Sequence, residues 1–250
     1  MRILVTNDDG IRAGGINVLA RELEKDHQVI IVAPERQMSA QSHAITLDTP
    51  LNIKEVELKD IESKAYSISG TPADCVRAGI EAIVEGDIDL VVSGINLGYN
   101  SGMDILYSGT VSAAIEANIY DIPSIAVSAE WMDHSANYEV AAKYTLQVLD
   151  KIKEDFLNAK MVLSINTPYH VEDESEIKVC KIGGVIYDYY HKEKIGTGEH
   201  SLTLKGRREA KFEEGTDRYY LAKGYPTLTP LYYDLTNERL IEEVKNWLVK

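Results

Sequence analysis

Along residues 1–168, short apolar runs alternate with longer segments in which apolar residues recur three or four positions apart. Residues 2–6 begin this pattern with Ile3, Leu4 and Val5 in succession, as in a short strand buried on both faces. Residues 13–26 place Ile16, Leu19, Ala20 and Leu23 on one stripe and Arg21, Glu22, Glu24 and Lys25 outside it, which predicts an amphipathic helix. A second strand, residues 28–33, closes at Pro34. Residues 50–58 and 65–69 read as two more strands in hairpin arrangement, joined by a charged segment. In residues 70–84 Thr71 caps a helix, Pro72 takes its first position, Asp74 sits in its first turn, and Val76, Ile80 and Ile83 face inward. Strands follow at 89–93, 124–128 and 161–166, separated by one helix opening at Ser108 and another over residues 137–153. This order predicts an α/β fold with a doubly wound, mostly parallel sheet and right-handed crossovers.

After residue 168 the pattern changes to short strand-like runs, turn glycines and many tyrosines, among them Tyr187, Tyr189, Tyr190, Tyr219, Tyr220, Tyr232 and Tyr233. An antiparallel appendage is expected here, its tyrosines available for packing, a subunit interface or stacking on a base. Residues 236–248 then form a capped amphipathic helix with Leu240, Ile241, Val244 and Leu248 expected inward. The division is thus a domain over residues 1–168 and a smaller region over residues 169–250.

Chemistry concentrates where the first strand stops, in Asn7, Asp8, Asp9 and Gly10. Neighbours on a strand point to opposite faces, so both aspartates meet one ligand only if the backbone turns there, and asparagine and glycine favour such a turn. Two carboxylates about 4 Å apart repel by roughly 4 kcal/mol at an effective dielectric of about 20. Such a pair shares a proton, spreads into water as a solvated turn, or binds a cation. A hard divalent ion, Mg or Mn, suits oxygen ligands, and strand ends in open α/β sheets are where ligands sit.

Two other stretches belong to the same end of the sheet. Residues 35–46 form a long polar loop carrying Ser39, Ser42 and His43, for which local hydrogen bonds in a solvated loop compete with a place at a ligand. Residues 94–107 form a glycine and asparagine loop containing Asn96, and Ser108, Gly109 and Thr110 then open a helix. That helix start offers backbone N–H groups, hydroxyls and a positive dipole end to an anion, although the same residues also make an ordinary cap. Gly10, Gly14 and Gly15 do not form G-x-G-x-x-G, so dinucleotide binding is set aside.

The formal charge of −14 argues against a nucleic-acid duplex or an anionic membrane as partner, and any phosphate site needs a local positive source. Cys75 and Cys180 show neither a pairing pattern nor metal spacing and read as reduced, and with no long apolar run a cytoplasmic location is expected.

The runs ILVTNDDG, SAQSHAIT, GTPADCV, SGINLGYN and ILYSGTVSAA, in this order, resemble the SurE family (survival protein E) of metal-dependent nucleotidases. The resemblance implies a Rossmann-like domain followed by a smaller segment used in oligomer formation, as a homodimer or homotetramer. It further implies one divalent metal ion per subunit, Mg or Mn, on Asp8, Asp9, Ser39 and Asn96, with Asp8 and Asp9 catalytic. A phosphate pocket of Asn7, Asn96, Ser108, Gly109 and Thr110 is implied as well. The expected activity is hydrolysis of nucleoside 5′- and 3′-monophosphates by water activated at the metal. An aspartyl-phosphate mechanism and a non-catalytic nucleotide-binding module are the alternatives. Three features depart from the family pattern: Ala117 in place of a glycine after Glu116, Pro226 and Thr227 in a late strand, and residues 179–208 without an arginine-rich run.

Overall fold

The computed structural model describes residues 1–172, 175–186, 188–207 and 211–249; Tyr187 and Arg208 lie outside the described residues. The first part of the chain runs β1 (Arg2–Thr6), α1 (Gly14–Leu23), β2 (Gln28–Pro34), β3 (Ile53–Val56), β4 (Lys64–Ile68) and α2 (Pro72–Ala78). It continues with β5 (Leu90–Leu97), α3 (Gly109–Ile119), β6 (Ser124–Ala129), α4 (Tyr138–Ala159) and β7 (Val162–Thr167). Then come β8 (Lys178–Val179), β9 (Asp188–Lys194), β10 (His200–Arg207), α5 (Asp217–Leu221), β11 (Thr227–Leu231) and α6 (Glu238–Leu248).

One sheet has the order β3-β4-β2-β1-β5-β6-β7-β11-β8. From β4 to β7 every neighbour is parallel, while β3 runs antiparallel to β4, and β11 antiparallel to β7. The chain builds outward from β1 through β2 to β4, then returns to place β5 on the other flank of β1. The crevice between β1 and β5 is therefore the topological switch point, where open α/β sheets bind ligands.

Both faces of the sheet are covered, which explains three apolar residues in a row on β1. Ile3 and Val5 pack with Ile16, Leu19, Leu23, Val148 and Phe156 under α1 and α4. Leu4 faces the other way, onto Val76, Ala113 and Ala117 of α2 and α3. Each such fully buried aliphatic side chain contributes roughly 1.5–3 kcal/mol. Ala117, the departure next to Glu116, is thus a core residue.

The α2 cap is a full capping box: Thr71 Oγ1 accepts the Asp74 N–H at 3.1 Å, and Asp74 Oδ2 accepts the Thr71 N–H at 3.0 Å. The helix then widens into a π turn over Gly79–Ile83, so the expected single helix is two pieces. Strand β5 is longer than expected and carries Asn96, which is a strand residue and not part of a loop. Thr227 likewise lies in register with Asn166 of β7.

Strands β9 and β10 form a separate antiparallel pair, while β8 and β11 join the main sheet. The terminal helix corrects an expectation. It begins at Glu238, no side chain caps it, and Leu240, Ile241 and Val244 are 42%, 41% and 42% exposed, with Leu248 at 84%. Its apolar stripe is largely exposed, with no buried residue on the helix.

Candidate active site

The turn after β1 is built by Asn7. Its Nδ2 donates to the Gly10 carbonyl at 2.9 Å and its Oδ1 accepts the Gly10 N–H at 3.2 Å. Gly10 has φ +100°, a conformation that a side chain makes costly. Closing this turn takes the chain out of strand geometry and sends Asp8 and Asp9 to different neighbours across one crevice.

Asp8 goes to α3. Thr110 Oγ1 donates to Asp8 Oδ1 at 2.6 Å, and a Cβ on Gly109 would stand 2.8 Å from Asp8 Cβ and 3.1 Å from Pro72 Cγ. Only glycine allows that approach. Ser108 caps the helix, its Oγ accepting the Val111 N–H at 3.1 Å. Asp9 goes to β5, where its Oδ2 accepts the Leu97 N–H at 3.0 Å, while Gln37 Nε2 donates to its Oδ1 at 3.3 Å. Asn96 precedes Leu97 and donates from Nδ2 to the Gly98 carbonyl at 2.8 Å.

The structure therefore brings Asn7, Asp8, Asp9, Asn96, Ser108, Gly109 and Thr110 to the carboxyl ends of β1 and β5 and the start of α3. Ser39 lies on the exposed rim, one residue past Met38, whose N–H donates to the Asp8 carbonyl at 2.7 Å. His43 lies elsewhere: its Nε2 is 2.6 Å from Oε2 of the buried Glu116, whose Oε1 is 3.5 Å from Arg77 Nε.

Electrostatically the crevice is unbalanced. Burial pushes the Asp8 carboxyl up to about 6, with the Asp9 charge adding to the rise and the hydrogen bond from Thr110 opposing it. Burial, together with the Asp9 charge, also raises the pKa of the Tyr138 hydroxyl. Neither aspartate has an ion-pair partner among the described residues. Uncompensated hard oxygen donors at a ligand crevice fit a divalent cation.

Sequence reasoning missed several parts of this arrangement. Gln37, the Met38 N–H, the Leu97 N–H and Tyr138 become neighbours of the aspartates only through tertiary packing. Asp217 and Arg218 were also unforeseen. Asp217 Oδ2 accepts the Gly102 N–H at 2.6 Å, and Arg218 Nη2 donates to the Ser101 carbonyl at 2.9 Å and pairs with Asp104 Oδ2 at 3.0 Å. They fix the loop between β5 and α3 from the far end of the sequence. A short helix start precedes them, where Thr216 Oγ1 accepts the Tyr219 N–H at 3.4 Å.

Comparison with known proteins identifies the family. Residues 3–189 match the family model described as Survival protein SurE. The chain is 51% identical over 248 residues to the 5'-nucleotidase SurE of Clostridium botulinum (strain ATCC 19397 / Type A), covering 98% of each chain. It is 48% identical to the 5'-nucleotidase SurE of Clostridium tetani, covering 99% of this chain and 100% of the other. The crystal structure of the SurE protein from Aquifex aeolicus superposes with a TM-score of 0.87 at 36% identity, over the full length of both chains. With matching motifs, architecture and full-length similarity, the chain belongs to the SurE family.

Proposed function

We propose that this chain is a metal-dependent phosphatase that hydrolyses nucleoside 5′- and 3′-monophosphates to nucleoside and phosphate. The observation that carries the reading is the uncompensated Asp8 and Asp9 pair facing the start of α3 at the switch point of the sheet. Family membership supports the hydrolase class, since the relatives above are named 5'-nucleotidases.

Asp8, Asp9, Asn96 and Ser39 would hold one divalent ion, Mg or Mn. Such an ion, when bound, polarises a phosphoryl oxygen and lowers the pKa of a coordinated water. The chain supplies positioning. Thr110 and Leu97 fix the two carboxylates, so their charges stand still while the reaction proceeds. Ser108, Gly109 and Thr110 put the positive end of α3 next to Asp8, where charge on the equatorial phosphoryl oxygens of a substrate would be stabilised. Asn7 holds the turn and makes no charge of its own.

The test is phosphate release from 5′-AMP, 5′-GMP and 3′-AMP with excess chelator and then with Mg or Mn restored. Release that stops and returns supports the proposal. No release under any metal, with AMP still bound, replaces it with a non-catalytic nucleotide-binding module.

Assembly as a homodimer or homotetramer through residues 169–250 belongs to the same proposal. It is supported by the uncovered stripe of α6 and by the exposed Tyr190, Leu202 and Leu204 on the β9 and β10 pair. Among the described residues no helix is long and apolar enough to cross a membrane.

A further inference from the structure

We propose that a cavity beside the aspartates, lined by Tyr99, Glu130, Arg218, Phe212 and Leu221, receives the base of the nucleotide and is built for guanine. This rests on the phosphatase reading and names the part of the substrate that the reading leaves open. The cavity measures about 220 Å³. That is below the roughly 300 Å³ at which pockets for drug-sized ligands begin, so it suits one ring system and not a whole nucleotide.

Its position follows from the backbone. The Leu97 N–H is bonded to Asp9, and the next N–H, that of Gly98, donates to the Ala129 carbonyl at 2.8 Å. Tyr99 and Glu130 are the residues that follow Gly98 and Ala129, just past the ends of β5 and β6. Two Cα steps of about 3.8 Å therefore separate Leu97, at the aspartates, from Tyr99 in the wall of the cavity.

Its chemistry is unfinished. Arg218 is 4% exposed, and its Nε and Nη2 are engaged by the Ser101 carbonyl and Asp104. Its Nη1 is buried with no hydrogen-bond partner among the described residues, and the Tyr99 hydroxyl is buried beside the Glu130 carboxylate without a well-formed hydrogen bond. A buried donor left unpaired is costly, so native proteins rarely keep one without a ligand or water to satisfy it. The Glu130 carboxylate borders the same cavity, and one of its oxygens already accepts the Tyr169 N–H at 2.9 Å. Two donors and a carboxylate around an apolar slot match guanine. Its O6 and N7 accept from Arg218 and Tyr99, and its adjacent N1–H and 2-amino group donate to Glu130. Adenine presents a bare N1 where the carboxylate requires a donor, and a pyrimidine does not span both walls. Leu221 and Phe212 supply apolar lining for the ring.

The experiment compares kcat/KM for 5′-GMP, 5′-AMP and ribose 5-phosphate in the parent protein, Glu130→Gln and Tyr99→Phe. The expected result is a parent preference for GMP over AMP, with the GMP to ribose 5-phosphate ratio falling about tenfold or more in Glu130→Gln and less in Tyr99→Phe. Ratios unchanged in both variants overturn the pocket while leaving the phosphatase standing. A parent that turns over no phosphomonoester sinks the phosphatase reading alone. Calorimetric titration of guanosine then decides the pocket: binding weakened by Glu130→Gln sustains it, and no binding to the parent overturns it.

Discussion

Asp8→Asn makes the chelated protein more stable above pH 6, while removing a charge that the proposed reaction requires. In the folded chain the Asp8 carboxyl titrates near 6, against an ordinary value of 3.8. The shift of about 2 units, at about 1.4 kcal/mol each, corresponds to about 3 kcal/mol. The sign follows from proton counting. Between pH 3.8 and 6 the folded state holds more protons at this position than the unfolded state, so stability falls as pH rises through that window. Above pH 6 the whole penalty of burying the ionised group is present. Asparagine keeps the acceptor for Thr110 and cannot ionise, so it escapes the penalty. The assay is urea unfolding with excess chelator from pH 3.5 to 8, taken as variant minus parent so that other carboxylates cancel. The difference should grow across the window and level off at up to about 3 kcal/mol in favour of the variant. A difference flat with pH, or a variant less stable at pH 8, refutes the reasoning.

Other residues give sharper local tests. Thr110→Val removes the 2.6 Å hydroxyl contact to Asp8 and should lower phosphate release at least about tenfold by freeing the carboxylate, an effect read from kcat at saturating metal. Arg218→Ala breaks its buried contacts to Asp104 and the Ser101 carbonyl and should cost about 3 kcal/mol in denaturant unfolding; a loss under about 1 kcal/mol would remove Arg218 as the anchor of that loop. Val244→Asp places a charge on the uncovered stripe of α6, so sedimentation should show a smaller assembly while unfolding of the single chain stays within about 0.5 kcal/mol of the parent.

The half of the molecule that positions the aspartates was legible because its information is local. Ile3, Leu4 and Val5 in succession announce a strand covered on both faces, and Thr71, Pro72 and Asp74 write a helix start into three positions. The Asn7 turn was legible for the same reason, since its hydrogen bonds span three residues. Contacts across long separations were not. Nothing near Asp217 says that it will accept an N–H from Gly102, 115 residues away. The stripe on α6 shows the limit from the other side: periodicity reports that Leu240, Ile241 and Val244 share a face, and is silent on what that face meets. Asn96 was misplaced because the glycine-rich run after Ser93 looks like a loop, whereas β5 continues through it by pairing with Ser128 and Ala129 of β6.

The same imbalance that weakens the chelated fold would link it to the proposed cation. A protein with a formal charge of −14 repels a phosphate ester, and the start of α3 is a partial positive charge set against two carboxylates. A ligand that binds only the folded state adds RT ln(1 + [L]/Kd), about 2.7 kcal/mol at 100 times Kd. That is close to the penalty of ionising Asp8. Mg or Mn at that excess should therefore raise the parent's unfolding free energy at pH 8 to about the level of chelated Asp8→Asn. The variant itself should gain much less from the metal, because a neutral amide has replaced a charged ligand. Equal gains in both proteins would place the ion elsewhere and detach Asp8 from it.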